Sequence, residues 1–516
     1  MRRVTALEAY CSGKLLGLHR LHHADFAAAL ATSRQVNRQT LSAAVLEYSQ
    51  SIGANKVVLG NAKLLAHPNS ATVMTGQQAG LLLGASYTIS KAVDAILLAQ
   101  RYSTADRPVL PIFWVASQDH DSDEVRHAFL LDLSEQEHQI SLELPKNIPI
   151  GNIALRPAYL ETIMQHLQNF DAPEVFKAPL LEMLDTTFQA STTYSEWFSR
   201  ILTHLLGQYG LIIVDPLFPS IAALFSGGIK QELESPLLSS QGIERAALTL
   251  EAAGLTPQLR RGASATNLFL TGEDGQRRLL KFDGQKFMAD KSYSQADLLH
   301  ILESDARRLT PAAGLRSILA DAVFPSVVNV LGPGELAYHL QLLEVYQQHN
   351  VPQPLMSPRL SITILEPPIK RLLVKYDLTA AAFQRNGAET LKNKLFETHA
   401  AKARIAATLE QTMQEIQALG SDLTKLESGF SKNVWRMQAA MRFQLENKLP
   451  RKLSAALTRA DTDLQSSLLR LEKHLLPHGK PQERHNSFLE YLLKFGTVAL
   501  QRVLALEPSG VFEVEI

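Results

Sequence analysis

Ionisable side chains are crowded into one short stretch of the sequence, Asp119 to Glu124, which holds five of them in six residues. Carboxylates and an imidazole at this spacing can bind a substrate ammonium group, hold a magnesium ion or act as a general base. For Asp123 and Glu124 the simpler interpretation is favourable negative charge in the first turn of a helix. That explanation does not cover Asp119, His120 and Asp121, which are therefore the candidate catalytic residues. We predict no metal site, and zinc in particular lacks a second histidine in helical register.

A turn rich in glycine and glutamine, Gly76-Gln77-Gln78-Ala79-Gly80, precedes a predicted helix that begins at Leu81. Free backbone amides and the helix dipole at such a turn favour an anion such as phosphate or carboxylate. The turn has neither the dinucleotide fingerprint nor the phosphate-loop lysine, and glycines four residues apart also let a helix approach a sheet closely. Tyr87 and Lys91 share one helical face, where the lysine either counters a bound anion or lies in solvent.

Polar residues also follow two later apolar runs. Gly332-Pro333-Gly334-Glu335 allows close approach of the backbone to a ligand, although Glu335 also suits the start of a helix. Tyr338 and Gln341 come one turn apart on the helix that follows. Arg316 and Arg359 are candidate clamps for carboxylate or phosphate, with surface salt bridges as the alternative.

These candidates follow short apolar runs that stop at turn signals, as central parallel strands do. Helical patterns lie between the runs, so we predict an α/β fold with a Rossmann-like, doubly wound parallel sheet. In such a sheet, polar residues at the carboxyl ends of the strands line the ligand crevice. The wide spacing of the strands requires insertions, at about 135–200 and 235–325. The predicted strands are Ala71 to Thr75, Val109 to Ala116, Leu211 to Val214, Val327 to Leu331 and Gln353 to Met356.

A second domain is indicated by apolar residues at three-and-four spacing from about 393 to 476, a stretch whose only proline is Pro450. This pattern is typical of a coiled coil. We predict a core over 1–375, an α-helical coiled-coil domain over 376–476 and a segment, 477–516, that returns to the core. The coiled coil is either an antiparallel hairpin, with a turn or kink near Lys448-Leu449-Pro450, or a three-helix bundle. A hairpin would bury its seam in a second subunit, so we expect a homodimer.

The composition indicates which binding partners and which cellular compartment to expect. The chain has 51 basic and 51 acidic residues and no basic stripe, so nucleic-acid binding is not expected and a small-molecule substrate is the better hypothesis. No window reaches the ~18 apolar residues of a membrane span, so no membrane association is expected. The single cysteine, Cys11, excludes an intrachain disulfide and suits a cytoplasmic protein.

Taken together, the motifs resemble the BshC family, the cysteine-adding enzymes of bacillithiol biosynthesis. The resemblance rests on the glutamine turn, on Phe113-Trp114-Val115-Ala116 before Asp119-His120-Asp121, on Gly332 to Gln341, on Pro358-Arg359 and on Gln482-Glu483-Arg484. It implies a Rossmann-type core with a dimerising coiled coil, and a ligase that joins cysteine to the amine of glucosaminyl-malate in the last step of the pathway. The expected substrate- or nucleotide-binding residues are Gly76, Gln77, Gln78, Gly80, Tyr87, Lys91, Trp114, Arg316, Gly332, Gly334, Glu335, Tyr338, Gln341 and Arg359.

The chemistry of that reaction implies a cosubstrate. An amide made from a free carboxylate needs activation, as an acyl-adenylate or acyl-phosphate, so we expect ATP with Mg²⁺ although no motif shows it. Two alternatives remain at this stage. One is a non-catalytic nucleotide-fold scaffold that presents the coiled coil to partners, and the other is nucleotidyl transfer to a different acceptor.

Overall fold

The chain folds into two compact units in a computed structural model, which describes residues 5–15, 17–390, 402–426, 431–444, 448–449, 452 and 462–516. The first unit comprises Met1–Ile362 and Asn486–Phe512, and the second comprises Thr363–His485 and Glu513–Ile516. The division thus falls at Ile362, before the predicted position 375, and residues 477–485 belong to the second unit. Over the residues described, no helix is both long enough and apolar enough to cross a membrane.

A five-stranded parallel sheet forms the centre of the first unit. Its strands are β1 Ala71–Gln77, β2 Val109–Val115, β5 Ile212–Val214, β11 Ser326–Leu331 and β12 Leu355–Pro358. They occur in the order β12, β11, β1, β2, β5, so the direction of winding reverses beside β1. Each of the five predicted apolar runs contributes one strand, which confirms the Rossmann-like, doubly wound architecture.

Burial on both faces explains why these segments are apolar throughout. Every residue of β2 is buried, as is every residue of β5 and β11. Helix α5 (Tyr87–Tyr102) covers one side, where Ala95 and Leu98 pack with Val73 and Val330 of the strands. Burial of apolar side chains at ~25 cal/mol per Å² is the main force that holds such a layer in place.

The insertions add two smaller sheets. β3 (His127–Leu131) and β4 (Glu137–Ser141) form an antiparallel hairpin. A second five-stranded sheet consists of β6 Ala265–Thr271, β7 Arg277–Phe282, β8 Phe287–Met288, β9 Ser292–Tyr293 and β10 Leu309–Pro311. These strands have the order β10, β6, β7, β8, β9, with antiparallel pairing throughout.

Helices of the first unit surround these sheets. In addition to α5 they are α1 Ala6–Cys11, α2 Phe26–Ala31, α3 Arg38–Ser51, α4 Lys56–Leu64, α6 Ser122–Val125, α7 Pro157–Gln168, α8 Glu174–Gln189, α9 Tyr194–Leu206, α10 Pro219–Ala223, α11 Ser226–Glu234, α12 Leu238–Ala252, α13 Gln295–Ser304, α14 Ala313–Val323, α15 Pro333–His339 and α16 Leu343–Gln348, followed near the C-terminus by Leu489–Phe495 and Val498–Leu504.

The segment Asn486–Phe512 is tied into the first unit by backbone hydrogen bonds. Ser86 donates to the Asn486 carbonyl from its backbone nitrogen at 2.8 Å and from its hydroxyl at 2.6 Å. Ser487 donates to the Phe129 carbonyl at 2.8 Å and, through its hydroxyl, to the Leu82 carbonyl at 2.7 Å. This returning segment therefore holds the loop that leads into α5.

The second unit is mainly helical. Its core contains Ile369, Phe383 and Leu471, which are almost fully buried. Strands β13 (Ser361–Leu365) and β14 (Val511–Glu515) pair where the chain passes between the units. The described helices are α17 Pro367–Lys375, α18 Ala380–Asn386, then Lys402–Leu426, Ser431–Phe443 and Thr462–Leu475.

Two of these helices form an antiparallel pair. Gln438 donates to the Ile416 carbonyl at 3.1 Å, and Val434 lies against Gly420. Helices Lys402–Leu426 and Ser431–Phe443 therefore run in opposite directions, and both come before the predicted turn at 448–450. Pro450 lies outside the described residues.

Candidate active site

The carboxyl ends of β1, β2, β11 and β12 meet at one edge of the parallel sheet. Gly76 is in register with Trp114, and Leu331 with Pro358. The residues that follow these strands therefore lie close together beside the point where the strand order reverses, which is where open α/β sheets bind ligands. We call this region the crevice, and its polar residues are Gln77, Gln78, Lys91, Asp119, His120, Glu124, Arg277, Arg316, Glu335, Tyr338 and Arg359.

A buried ion pair forms one wall of the crevice. The Lys91 ammonium lies 2.6 Å from Glu335 Oε2 and donates to the Gly76 carbonyl and to Gln77 Oε1, each at 2.9 Å. All three ammonium hydrogens thus have acceptors. Lys91 is only 1% exposed, which excludes the alternative of a lysine in solvent.

Glu335 is held in its charged form. Burial acts to raise its pKa, but the Lys91 ammonium and the Gly332 N–H outweigh burial and leave the pKa below its usual value. The Gly332 nitrogen donates to Glu335 Oε2 at 2.8 Å, so the carboxylate also closes the first turn of α15. Gly334, by contrast, has no atom near the position that a side chain would occupy.

The glutamine turn differs from its predicted geometry. Helix α5 begins at Tyr87 rather than Leu81, after a 3₁₀ turn at Leu81–Leu83 in which Leu82 and Leu83 have positive φ. The Gly80 nitrogen donates to Gln78 within the turn. Because the helix starts further on, the helix dipole no longer supports anion binding at Gly76 and Gly80, and that role stays a prediction.

Close packing accounts for both of those glycines. A Cβ on Gly76 would lie 2.6 Å from the Trp114 carbonyl oxygen, and one on Gly80 would lie 2.8 Å from Gly84. Glycine therefore permits close approach here, but between β1 and β2 at Gly76 and within the turn at Gly80, rather than between a helix and the sheet as the alternative interpretation proposed.

Asp119 is fixed between a glutamine and two arginines. Its Oδ2 accepts from Gln78 at 2.9 Å, and its Oδ1 accepts from the His120 backbone at 2.8 Å. Arg277 Nη1 lies 3.9 Å from Oδ1. Burial acts to raise the Asp119 pKa, but the charges of Arg316 and Arg277 and the Gln78 hydrogen bond lower it overall. Asp119 is therefore a stable anion and a weak proton acceptor.

Glu124 has the opposite tendency. Partial burial raises its pKa, and the neighbouring carboxylates of Asp119 and Asp121 add to that effect. Asp121 is exposed, and its Oδ1 accepts from the Glu124 nitrogen at 3.3 Å, so it caps the short helix α6. Asp123 points to the surface, where it forms an ion pair with Arg126 at 2.7 Å.

Aromatic and cationic groups lie beside this ion pair, and the Lys91 ammonium is 5.8 Å from the centre of the Tyr87 ring. The Arg359 guanidinium lies 5.5 Å from the centre of the Tyr87 ring, and Gln77 Nε2 donates to the Tyr87 hydroxyl at 3.3 Å. Tyr338 is hydrogen bonded to Arg316, and burial raises the Tyr338 pKa. The positive charges of Arg316 and Arg359 both act to lower the pKa of Lys91. The two predicted clamps for carboxylate or phosphate therefore both lie near Lys91.

Two of the predicted binding residues, Gln341 and Trp114, pack against other parts of the protein. Gln341 is fully buried, and its side-chain oxygen accepts from the backbone of Gln258 and Leu259, each at 2.9 Å, so it supports that loop rather than facing a ligand. Trp114 is 6% exposed and packs edge-on against Phe225. Its indole nitrogen has no hydrogen-bond partner among the described residues.

The sequence gives no indication of Arg277. Arg277 begins β7 in the antiparallel sheet, within the predicted insertion at 235–325, and no local motif marks it. Asp123 and Glu124 both lie in the first turn of α6, as the helix-dipole interpretation predicts, and the local sequence gives no reason to treat them differently. Only the tertiary structure separates these two acids.

Two models of one protein family together match the chain over nearly its whole length. Residues 15–360 match the family model described as "Bacillithiol biosynthesis BshC, N-terminal Rossmann-like domain", and residues 362–516 match "Bacillithiol biosynthesis BshC, C-terminal coiled-coil domain". The relatives that match the chain include proteins with the name "Putative cysteine ligase BshC". One from Thermus thermophilus is 38% identical over 439 residues (85% of this chain, 86% of the relative). The one from Heliobacterium modesticaldum is 30% identical over 474 residues (88% and 84%). The one from Salinibacter ruber is 28% identical over 486 residues (92% and 87%).

Proposed function

Because this chain belongs to the BshC family of bacillithiol biosynthesis, we propose that it is a ligase that joins the carboxyl group of L-cysteine to the amine of glucosaminyl-malate in the last step of that pathway. The observation that carries the proposal is the match of both family domains, in order, along one chain. The crevice adds support, since it brings together the polar groups that such a reaction needs.

The charges of the crevice suit both reacting groups. Arg316 and Arg359 bring two guanidinium groups, which pair well with carboxylate or phosphate oxygens, to the crevice. Arg359 is largely buried, and its Nη1 already donates to the Leu360 carbonyl at 2.8 Å. The exposed carboxylate of Asp121 and the neighbouring carboxylate of Glu124 fit an ammonium group. Lys91 and Glu335 neutralise one another, so their pair orders Gly76 and Gln77 without adding net charge to the site.

Glu124 is the carboxylate that best fits the general base. The attacking amine must lose a proton, and a base works best when its pKa is close to the working pH. The shift raises the pKa of Glu124 toward that condition, whereas the pKa of Asp119 is shifted away from it. We therefore assign proton removal to Glu124, and orientation of the substrate to Asp119.

ATP and Mg²⁺ are part of the proposal, because a free carboxylate does not form an amide without activation. Mg²⁺ prefers a few carboxylate oxygens together with substrate phosphates. Asp121 fits this preference, since it is exposed and accepts only one long hydrogen bond. Asp119 fits less well because both of its oxygens already accept hydrogen bonds and an arginine lies beside it.

The helical pair of the second unit supports a proposal about assembly. Large apolar side chains are exposed on it, among them Leu419 (59%), Trp435 (69%) and Phe443 (55%). Exposed apolar patches of this kind mark interaction sites. We propose that this surface, which we call the hairpin surface, binds a second copy of the chain.

Mass spectrometry of reaction mixtures tests the ligase. Purified protein is incubated with glucosaminyl-malate, cysteine, ATP and Mg²⁺, and each component is omitted in turn. We expect the cysteine adduct only in the complete mixture. An adduct that persists without ATP would refute the activation step alone. No adduct from folded protein would refute the ligase, and cysteine-independent exchange of pyrophosphate into ATP would indicate nucleotidyl transfer to another acceptor.

A further inference from the structure

Arg277 enters the crevice from the antiparallel sheet with its guanidinium fixed on several sides. Its Nε donates to Thr310 Oγ1 at 3.0 Å, and its Nη2 donates to the Pro311 carbonyl at 3.0 Å. The Phe269 ring lies beneath it, 3.9 Å from the ring centre to the guanidinium carbon. The side chain is only 5% exposed, so the group has little freedom to rotate.

The third guanidinium nitrogen of Arg277 lies next to a histidine nitrogen. Nη1 lies 3.1 Å from His120 Nδ1. An arginine has only N–H donors and stays charged in proteins, so Nδ1 has to accept this hydrogen bond. The proton of the neutral His120 ring must therefore be on Nε2.

The other neighbours of His120 do not reverse this assignment. Asp119 Oδ1 lies 3.8 Å from Nδ1, which is too far for a hydrogen bond. The Phe269 ring lies 5.7 Å from the imidazole, and Asp121 acts on it only as a nearby charge. If the ring also carried a proton on Nδ1, that N–H would point at the N–H of Arg277 Nη1.

We propose that Arg277 is a positioning residue that holds His120 as the neutral tautomer protonated on Nε2, so that His120 donates a hydrogen bond to a substrate oxygen. A neutral Nε2–H fits a carboxylate, a carbonyl or the oxyanion that develops as an amine attacks a carbonyl carbon. It does not fit an ammonium group, and it cannot remove a proton at Nε2. The substrate part of the inference rests on the proposed ligase reaction, while the tautomer does not.

Nitrogen NMR of the full-length protein without substrates tests the tautomer. Histidine labelled with ¹⁵N is introduced, and the His120 signals are identified by their loss in His120→Gln. We expect an unprotonated Nδ1 and a protonated Nε2 in the wild type at neutral pH. A proton on Nδ1, or a doubly protonated ring, would overturn the proposal. Because no substrate is present, this result is independent of whether the ligase reaction occurs.

Two arginine variants then test the role of Arg277. Arg277→Gln should give a mixture of tautomers and move the His120 titration to higher pH, and it should lower kcat by roughly 10²-fold in the adduct assay. Arg278→Gln is the matched control, because Arg278 is the next residue of β7 and pairs with Asp274 at the surface. An unchanged tautomer in Arg277→Gln would show that another group sets it. If Arg277→Gln does not fold, the wild-type tautomer still decides the proposal.

Discussion

Glu124 and Asp123 are adjacent acids in the first turn of α6, and only their surroundings differ. We expect Glu124→Gln to lower kcat by about 10²- to 10⁴-fold, the usual contribution of general base catalysis. Asp123→Asn removes the same charge from the same helical turn but only breaks the surface pair with Arg126, so its activity should stay close to wild type. Equal losses in the two variants would contradict the role assigned to Glu124.

The pH dependence of kcat provides a second test of Glu124. A base must be deprotonated to work, so the wild-type rate should rise with pH as Glu124 loses its proton. Because its pKa is raised, that rise should lie above the range of an ordinary glutamate. The rise should disappear in Glu124→Gln, and a rise that persists there would assign it to another group.

At the scale of elements, β1 and β2 approach each other closely at Gly76. A Cβ there would lie 2.6 Å from the Trp114 carbonyl oxygen and 3.0 Å from the Trp114 Cβ. We expect Gly76→Ala to destabilise the protein by about 1–3 kcal/mol, as overpacking commonly does. Urea unfolding measures this change. Gly227→Ala, in helix α11 with no atom within 4 Å of the new Cβ, is the control and should alter stability by less than about 1 kcal/mol.

The central strands can be predicted from the sequence, whereas residues placed by the folding of a long insertion cannot. The five central strands were predictable because both of their faces are buried, which leaves continuous apolar runs such as Val109–Val115. The residues after them were predictable because parallel strands end at a common edge. Arg277 was not, since it begins an ordinary antiparallel strand whose place beside His120 depends on how a long insertion folds. The start of α5 was missed because Leu82 and Leu83 adopt positive φ, which apolar residues rarely do.

Assembly of the whole molecule depends on the hairpin surface. We expect light scattering to give the mass of a dimer for the wild type and a monomer for Trp435→Glu, because the new charge would be buried in the interface. Val374→Glu places the same charge on α17 at a valine that is 71% exposed, outside that surface, and should remain a dimer. A monomeric wild type, or a dimeric Trp435→Glu, would contradict the prediction.

The returning segment Asn486–Phe512 has a consequence for the order of events during synthesis. Ser86, Leu82 and Phe129 bond to Asn486 and Ser487, which a ribosome adds some 400 residues after Leu82 and Ser86. Contacts so distant in sequence form late, because the loop between them must first close. A nascent chain therefore cannot complete the hydrogen bonds at the entry to α5 until residues 363–485 of the second unit have been translated. Chains released before Asn486 should thus lack these hydrogen bonds, and only a chain that extends past Ser487 should hold the loop that leads into α5.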